Sequence, residues 1–114
     1  MKAMVLPKFG APLELRDVAV PKPGPNEVLL RVRATGVGLT VVIMIASPSR
    51  VTSFPRIPGH EVAGEVVETG SEVTHVKIGE RVVCHFYLTC GTCRFCRSGR
   101  ETLCTAFRGN VGQA

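Results

Sequence analysis

Apolar residues in this chain come in short runs, many of them alternating with polar positions and separated by proline and glycine. Val28, Leu30 and Val32 recur at period two in VLLRVR, which puts them on one face of a strand over residues 28–33. Residues 3–6, 13–20, 62–68 and 81–86 carry similar strand-compatible runs, the last two separated by Gly70, Ser71 and Gly79. Pro21, Pro23 and Pro25 around Gly24 mark a turn, because proline fixes φ and glycine frees it. Residues 39–46 are continuously apolar; eight positions do not separate a helical turn from a strand. Residues 47–58 read as a loop broken by Pro48, Pro55 and Pro58, and residues 109–114 as a loop cut in mid-course. Many short strands with twelve glycines and eight prolines predict a compact, mostly β barrel.

Composition narrows the function classes. The 114 residues make one domain, and 45% apolar content with 20% charge excludes a disordered chain. No apolar run approaches the roughly 18 residues that cross a bilayer, and Pro7 and Lys8 interrupt any signal-peptide core. A cytoplasmic protein without a membrane partner is expected. The formal charge of +5 raises the question of nucleic acid, but the basic residues are scattered and form no run. Three of them, Arg94, Arg97 and Arg100, lie inside a cysteine cluster. No nucleic-acid partner is expected.

That cluster carries the strongest chemical signal. Cys90, Cys93, Cys96 and Cys104 follow one another at spacings of two, two and seven intervening residues. Two-residue spacers turn successive thiolates toward one centre, and Gly91 and Gly99 free the backbone where it must bend. Four soft donors suit a structural zinc, whose closed tetrahedron leaves no place for water or substrate. Four thiolates around one Zn²⁺ carry a net charge of −2, which lowers the formal charge from +5 to +3 and gives the three arginines an electrostatic role. An iron–sulfur cluster also uses two-residue spacers, but its fourth cysteine usually follows sooner and precedes proline; here Leu103-Cys104-Thr105 stands instead. Zinc ribbons split two cysteine pairs by a longer stretch. The fifth cysteine, Cys84, reads as a small buried hydrophobe in the strand 81–86.

Two stretches together resemble the zinc-containing alcohol dehydrogenases of the medium-chain dehydrogenase/reductase superfamily. One is Gly59-His60-Glu61 followed by Gly64, Gly70 and Val73; the other is the cysteine lobe, placed after Gly79-Glu80-Arg81-Val82-Val83. Pro23 through Val28 is similar to the early turn of the same family. The resemblance covers essentially the whole chain. It implies a GroES-like, partly open β-barrel over residues 1–114, with a structural zinc lobe over 88–106, as the catalytic domain of a two-domain dehydrogenase. A Rossmann domain binding NAD or NADP, a small alcohol or aldehyde substrate and a homo-oligomer are implied at full length, while the isolated chain is expected to be inactive.

The resemblance further implies Thr40 as the hydroxyl that relays the proton of the alcohol, His60 as a ligand of a catalytic zinc, and Glu61 as its acidic neighbour. One departure matters. Where the family places its first thiolate ligand, after a strand ending Ala-x-Gly-Val, this chain has Gly38. A single zinc per chain, held by Cys90, Cys93, Cys96 and Cys104, is therefore expected. The triplet Gly36-Val37-Gly38 resembles a dinucleotide-binding turn only superficially, because Val41 stands where the third glycine is needed. Phe86 and Tyr87 are candidates to line a substrate cleft, and His75 reads as a solvated loop residue. A non-enzymatic, zinc-stabilised binding or oligomerisation module of the same fold is the alternative.

Overall fold

The computed structural model describes residues 1–46 and 53–107. Its strands are β1 (Lys2–Val5), β2 (Glu14–Asp17), β3 (Val28–Gly36), β4 (Glu61–Thr69) and β5 (Arg81–Val83), with one helix, α1 (Leu39–Ala46), between β3 and β4. Two short 3-10 turns, Cys96–Ser98 and Glu101–Leu103, complete the order. The architecture is mostly β, as expected. Strands β1 and β2 pair antiparallel as one sheet, and β3, β4 and β5 form a second antiparallel sheet with β4 in the middle. Among the described residues no helix is long and apolar enough to cross a membrane.

The central position of β4 explains its burial. Pairing on both edges covers its backbone, and Val66 at its centre is 0% exposed. Gly64, two residues earlier on the same face, is also buried. Leu6 forms the other fully buried point, where its N–H donates to the Arg56 carbonyl at 2.7 Å and the Arg56 N–H returns a bond at 3.0 Å. That bridge ties the end of the first hairpin to the segment running into His60. Val5 and Val41 complete this small core.

Several details differ from the pattern read along the chain. Strand β3 is longer than 28–33, and its register against β4 shifts between Leu29 and Leu30 and again between Val32 and Ala34. Val28 and Leu30 are half-buried while Val32, paired with Gly64 and so without a side chain opposite it, faces solvent. Strand β5 stops at Val83, short of the expected 86, although the Cys84 N–H still donates to the Val62 carbonyl at 2.8 Å. The ambiguous run 39–46 is helical. It opens with the Val41 N–H donating to the Gly38 carbonyl at 3.0 Å. Its β-branched residues favour a strand, so propensity alone does not predict it. The expected loop 47–58 lies partly outside the described residues, and the segment 109–114 lies wholly outside them.

Candidate metal centre and adjoining cleft

The cysteine lobe is built by tight turns rather than by sheet. Gly91 and Gly99 adopt positive φ, at 71° and 70°, a region L side chains rarely enter. Gly99 closes the 3-10 turn Cys96–Ser98, its N–H donating to the Cys96 carbonyl at 3.2 Å, while the Arg97 N–H reaches back to the Cys93 carbonyl at 3.0 Å. These turns bring all four thiols together. The sulfur of Cys93 lies 3.5 Å from that of Cys96, and the sulfur of Cys90 lies 3.6 Å from Cys104 and 3.9 Å from Cys96. A tetrahedron of sulfurs at the usual Zn–S distance of about 2.3 Å has edges of about 3.8 Å. The observed separations match that edge.

Backbone donors already favour thiolates in this lobe. N–H groups of Cys96 and Thr105 hold the Cys93 thiol down to about 5, and those of Thr92 and Cys93 hold the Cys90 thiol down to about 7. Burial, aided by the Cys93 sulfur, pushes the Cys96 thiol up to about 11. The arginines of the lobe are exposed, as their role near a charged centre requires. Arg94 and Arg100 stack on the Phe95 ring at 4.5 Å and 5.5 Å from its centroid, which anchors two of the three beside the ligands.

A second feature lies beside the central sheet. A cleft of about 400 Å³ is lined by His60, Glu61, Val83, Cys84 and Phe86, together with the end of β3 from Ala34 to Gly36. His60 is only 17% exposed in its side chain; its Nε2 lies 4.0 Å from the Glu61 Oε1, and its ring lies 5.7 Å from that of Phe86. Gly36 makes room for the carboxylate, since a Cβ there would overlap the Glu61 side chain. A Cβ at Gly38 would stand 3.2 Å from the Glu61 Oε1 and 3.6 Å from the Thr40 hydroxyl. The fold thus brings Thr40 and Glu61 to the Gly38 position, with His60 beside Glu61, and that position has no side chain.

Two residues take different places from those read in the sequence. Cys84 is half-buried and lines the cleft instead of sitting in the core, because β5 ends before it; partial burial still pushes its thiol above the ordinary value. Tyr87 is not among the lining residues: its ring lies 4.3 Å from that of Phe86, tilted, and meets Phe107 edge-on at 5.3 Å. Phe86 does line the cleft, and His75 is exposed as expected. The contribution of Gly36 was not legible in the sequence, because a glycine that admits a distant carboxylate leaves no local mark.

The alcohol dehydrogenase GroES-like domain family matches residues 24–114. The chain belongs to that family. An S-(hydroxymethyl)glutathione dehydrogenase of Escherichia coli O1:K1 / APEC is 42% identical over 104 residues, which cover 91% of this chain and 28% of the relative. Among solved structures, AibC superposes with a TM-score of 0.90 at 43% identity, over 99% of this chain and 32% of that one. A cobalt- and zinc-bound thermostable alcohol dehydrogenase from Pyrobaculum aerophilum superposes with a TM-score of 0.89 at 37% identity, over all of this chain and 35% of that one. The chain therefore spans about a third of the length of these relatives. Within that span its mostly β fold follows theirs from end to end.

Proposed function

We propose that this chain is the catalytic-domain portion of a zinc-dependent alcohol dehydrogenase-like oxidoreductase that, at full length, interconverts small alcohols and aldehydes with NAD or NADP. The observation that carries the reading is the cluster of Cys90, Cys93, Cys96 and Cys104 sulfurs, all within 4.8 Å of one another, on a family-matched fold. Bound there, a zinc ion cross-links the lobe and leaves no coordination site for substrate. Its work is structural.

Chemistry belongs to the cleft. The Glu61 carboxylate and the His60 imidazole orient the polar end of an alcohol, and Val83 and Phe86 cover its apolar end against water. The Thr40 hydroxyl, close to both the Gly38 position and Glu61, passes the alcohol proton outward. A bound nicotinamide supplies the hydride acceptor. No glycine-rich dinucleotide turn occurs in these 114 residues, so turnover belongs to the longer protein and the isolated chain is inactive.

Exposed apolar side chains support this reading over a self-contained module. Val37 and Val83 are each 78% exposed, and Leu39, Val42 and Ile43 near the start of α1 are also solvent-facing. A free-standing domain rarely leaves so many large apolar groups uncovered. Gly38 favours the alternative, a zinc-stabilised binding or oligomerisation module on the same fold, because it removes a side chain from the reactive position. The test is alcohol-dependent reduction of NAD or NADP by the full-length protein, with zinc analysis of the same sample. Reduction together with zinc that disappears in Cys93→Ser supports the proposal. Zinc without any reduction across a panel of small alcohols assigns the chain to the alternative.

A further inference from the structure

The family resemblance implies a second metal, in the cleft, and the donor set there can be judged residue by residue. A catalytic zinc takes three protein ligands and keeps a fourth position open. The residues to weigh are His60, Glu61 and Cys84, which line the cleft, and Thr40 and Gly38, which stand beside Glu61. Among the described residues, the four lobe cysteines are the only group of three or more Cys, His, Asp or Glu ligand atoms that all lie within 4.8 Å of one another. Cys84 lines the cleft yet does not complete such a group with His60 and Glu61. Thr40 offers a neutral hydroxyl, a poor donor to zinc beside imidazole and thiolate. That leaves one imidazole and one carboxylate, 4.0 Å apart, and an empty side-chain position facing the carboxylate. The residues do not fit the group.

We infer that the cleft of this chain holds no resident zinc, and that His60 and Glu61 meet a hydroxyl- or carbonyl-bearing ligand directly. The inference rests on the lobe being the zinc site proposed above. Three observations converge on it. Gly38 contributes no donor at the point where the missing ligand would project, beside the Glu61 Oε1 and the Thr40 hydroxyl. His60 is mostly buried and keeps its Nε2 toward the Glu61 side, so its ring nitrogen is available to the cleft. The Glu61 carboxylate reaches across Gly36 into the same space. Without a metal between them, an imidazole and a carboxylate form a hydrogen-bonding pair: the carboxylate accepts from a ligand hydroxyl, and the imidazole donates to, or accepts from, its oxygen.

Metal stoichiometry separates the cleft from the lobe. The wild-type chain, loaded with excess zinc and dialysed, should hold one equivalent by elemental analysis. His60→Ala should still hold one, and Cys93→Ser should lose it. Gly38→Cys supplies a third donor beside His60 and Glu61 and should raise the content toward two; adding His60→Ala to that variant should bring it back to one. Cobalt substitution reads the same sites by colour: the wild-type spectrum should be that of a tetrathiolate centre, unchanged by His60→Ala. Two equivalents in the wild-type chain, one of them lost in His60→Ala, would overturn the inference, and so would a folded Gly38→Cys chain that binds no extra metal. Should Gly38→Cys misfold, the comparison of wild type with His60→Ala decides alone. A zinc-free wild-type chain would instead sink the lobe assignment, and this inference with it.

Discussion

In the metal-free chain Cys93 should react faster than an ordinary thiol at low pH and more slowly at high pH. Its thiol is held down to about 5, against an ordinary 9.0, first by the N–H groups of Cys96 and Thr105. Near pH 6 about nine-tenths of Cys93 is then thiolate, against about one part in a thousand of an ordinary thiol, a gain of about 900-fold in the reactive form. A weaker base is also a weaker nucleophile, and a Brønsted coefficient of about 0.45 turns the ten-thousand-fold difference in acidity into a loss of about 60-fold. Cys93 should therefore exchange with a small disulfide about 15-fold faster than the same residue in urea-denatured chain near pH 6. Near pH 9 the thiolate advantage shrinks to about twofold, and folded Cys93 should be about 30-fold slower. The order inverts close to pH 7. Mixed-disulfide formation in chelator-treated protein, quenched at intervals and located by peptide mass spectrometry, reads both rates; a zinc-loaded control should protect Cys93 at either pH. Folded Cys93 that stays slower than denatured Cys93 from pH 6 to pH 9 would refute the claim that backbone donors stabilise its thiolate.

Other outcomes follow from single contacts. Cys93→Ser should unfold the lobe over residues 90–104 and release its zinc, yet leave the β-sheet signal in circular dichroism partly intact; unchanged zinc content would count against the ligand set. Leu6→Ala removes a fully buried side chain and should cost about 2–5 kcal/mol in urea unfolding, since the cavity only partly collapses. Arg33 donates to the Glu65 Oε2 at 2.9 Å and, ahead of the charges of Arg31 and Arg81, holds the Glu65 carboxyl below its ordinary 4.5. A carboxyl lowered in the folded state stabilises fully above its unfolded value and loses that contribution as pH falls through the folded one. Arg33→Ala should thus be less stable than wild type at neutral pH, with the gap closing in acid below pH 4.5; a gap that stays constant with pH would assign the effect to packing alone. The isolated chain should bind a hydrophobic dye, and Val37→Ser with Leu39→Ser should weaken that binding without lowering zinc content.

The lobe was readable in the sequence because its information is local. Four cysteines within fifteen positions, with glycines at 91 and 99, specify both the donors and the bends, and the positive φ of both glycines appears where those bends are needed. Strand placement was readable for the same reason wherever turn residues flank an alternating run, as at β3 and β4. The rest depends on contacts between distant segments. Val32 is exposed opposite Gly64 of β4, and nothing within residues 28–33 announces that pairing. The run 39–46 is helical despite its β-branched residues, an outcome that eight continuously apolar positions do not announce. Cys84 faces the cleft because β5 ends one residue earlier, a limit set by pairing with β4 and not by composition.

The cleft lies between these two cases. His60 and Glu61 are neighbours in sequence, and their approach to one another could be anticipated from the motif. That the carboxylate crosses the Gly36 backbone to stand beside Gly38 could not, because it needs the Gly36–Glu61 pairing of β3 with β4. This pairing gives the departure at Gly38 its consequence. Were Gly38 elsewhere on β3 or α1, losing its side chain would matter only for helix propensity. Facing Glu61 and Thr40, it leaves the point between them without a donor. The tetrathiolate lobe is untouched by that change, since none of its ligands comes from β3, α1 or β4. The lobe and the cleft are thus carried by separate stretches of backbone, so a change in the cleft leaves the lobe's ligand set in place.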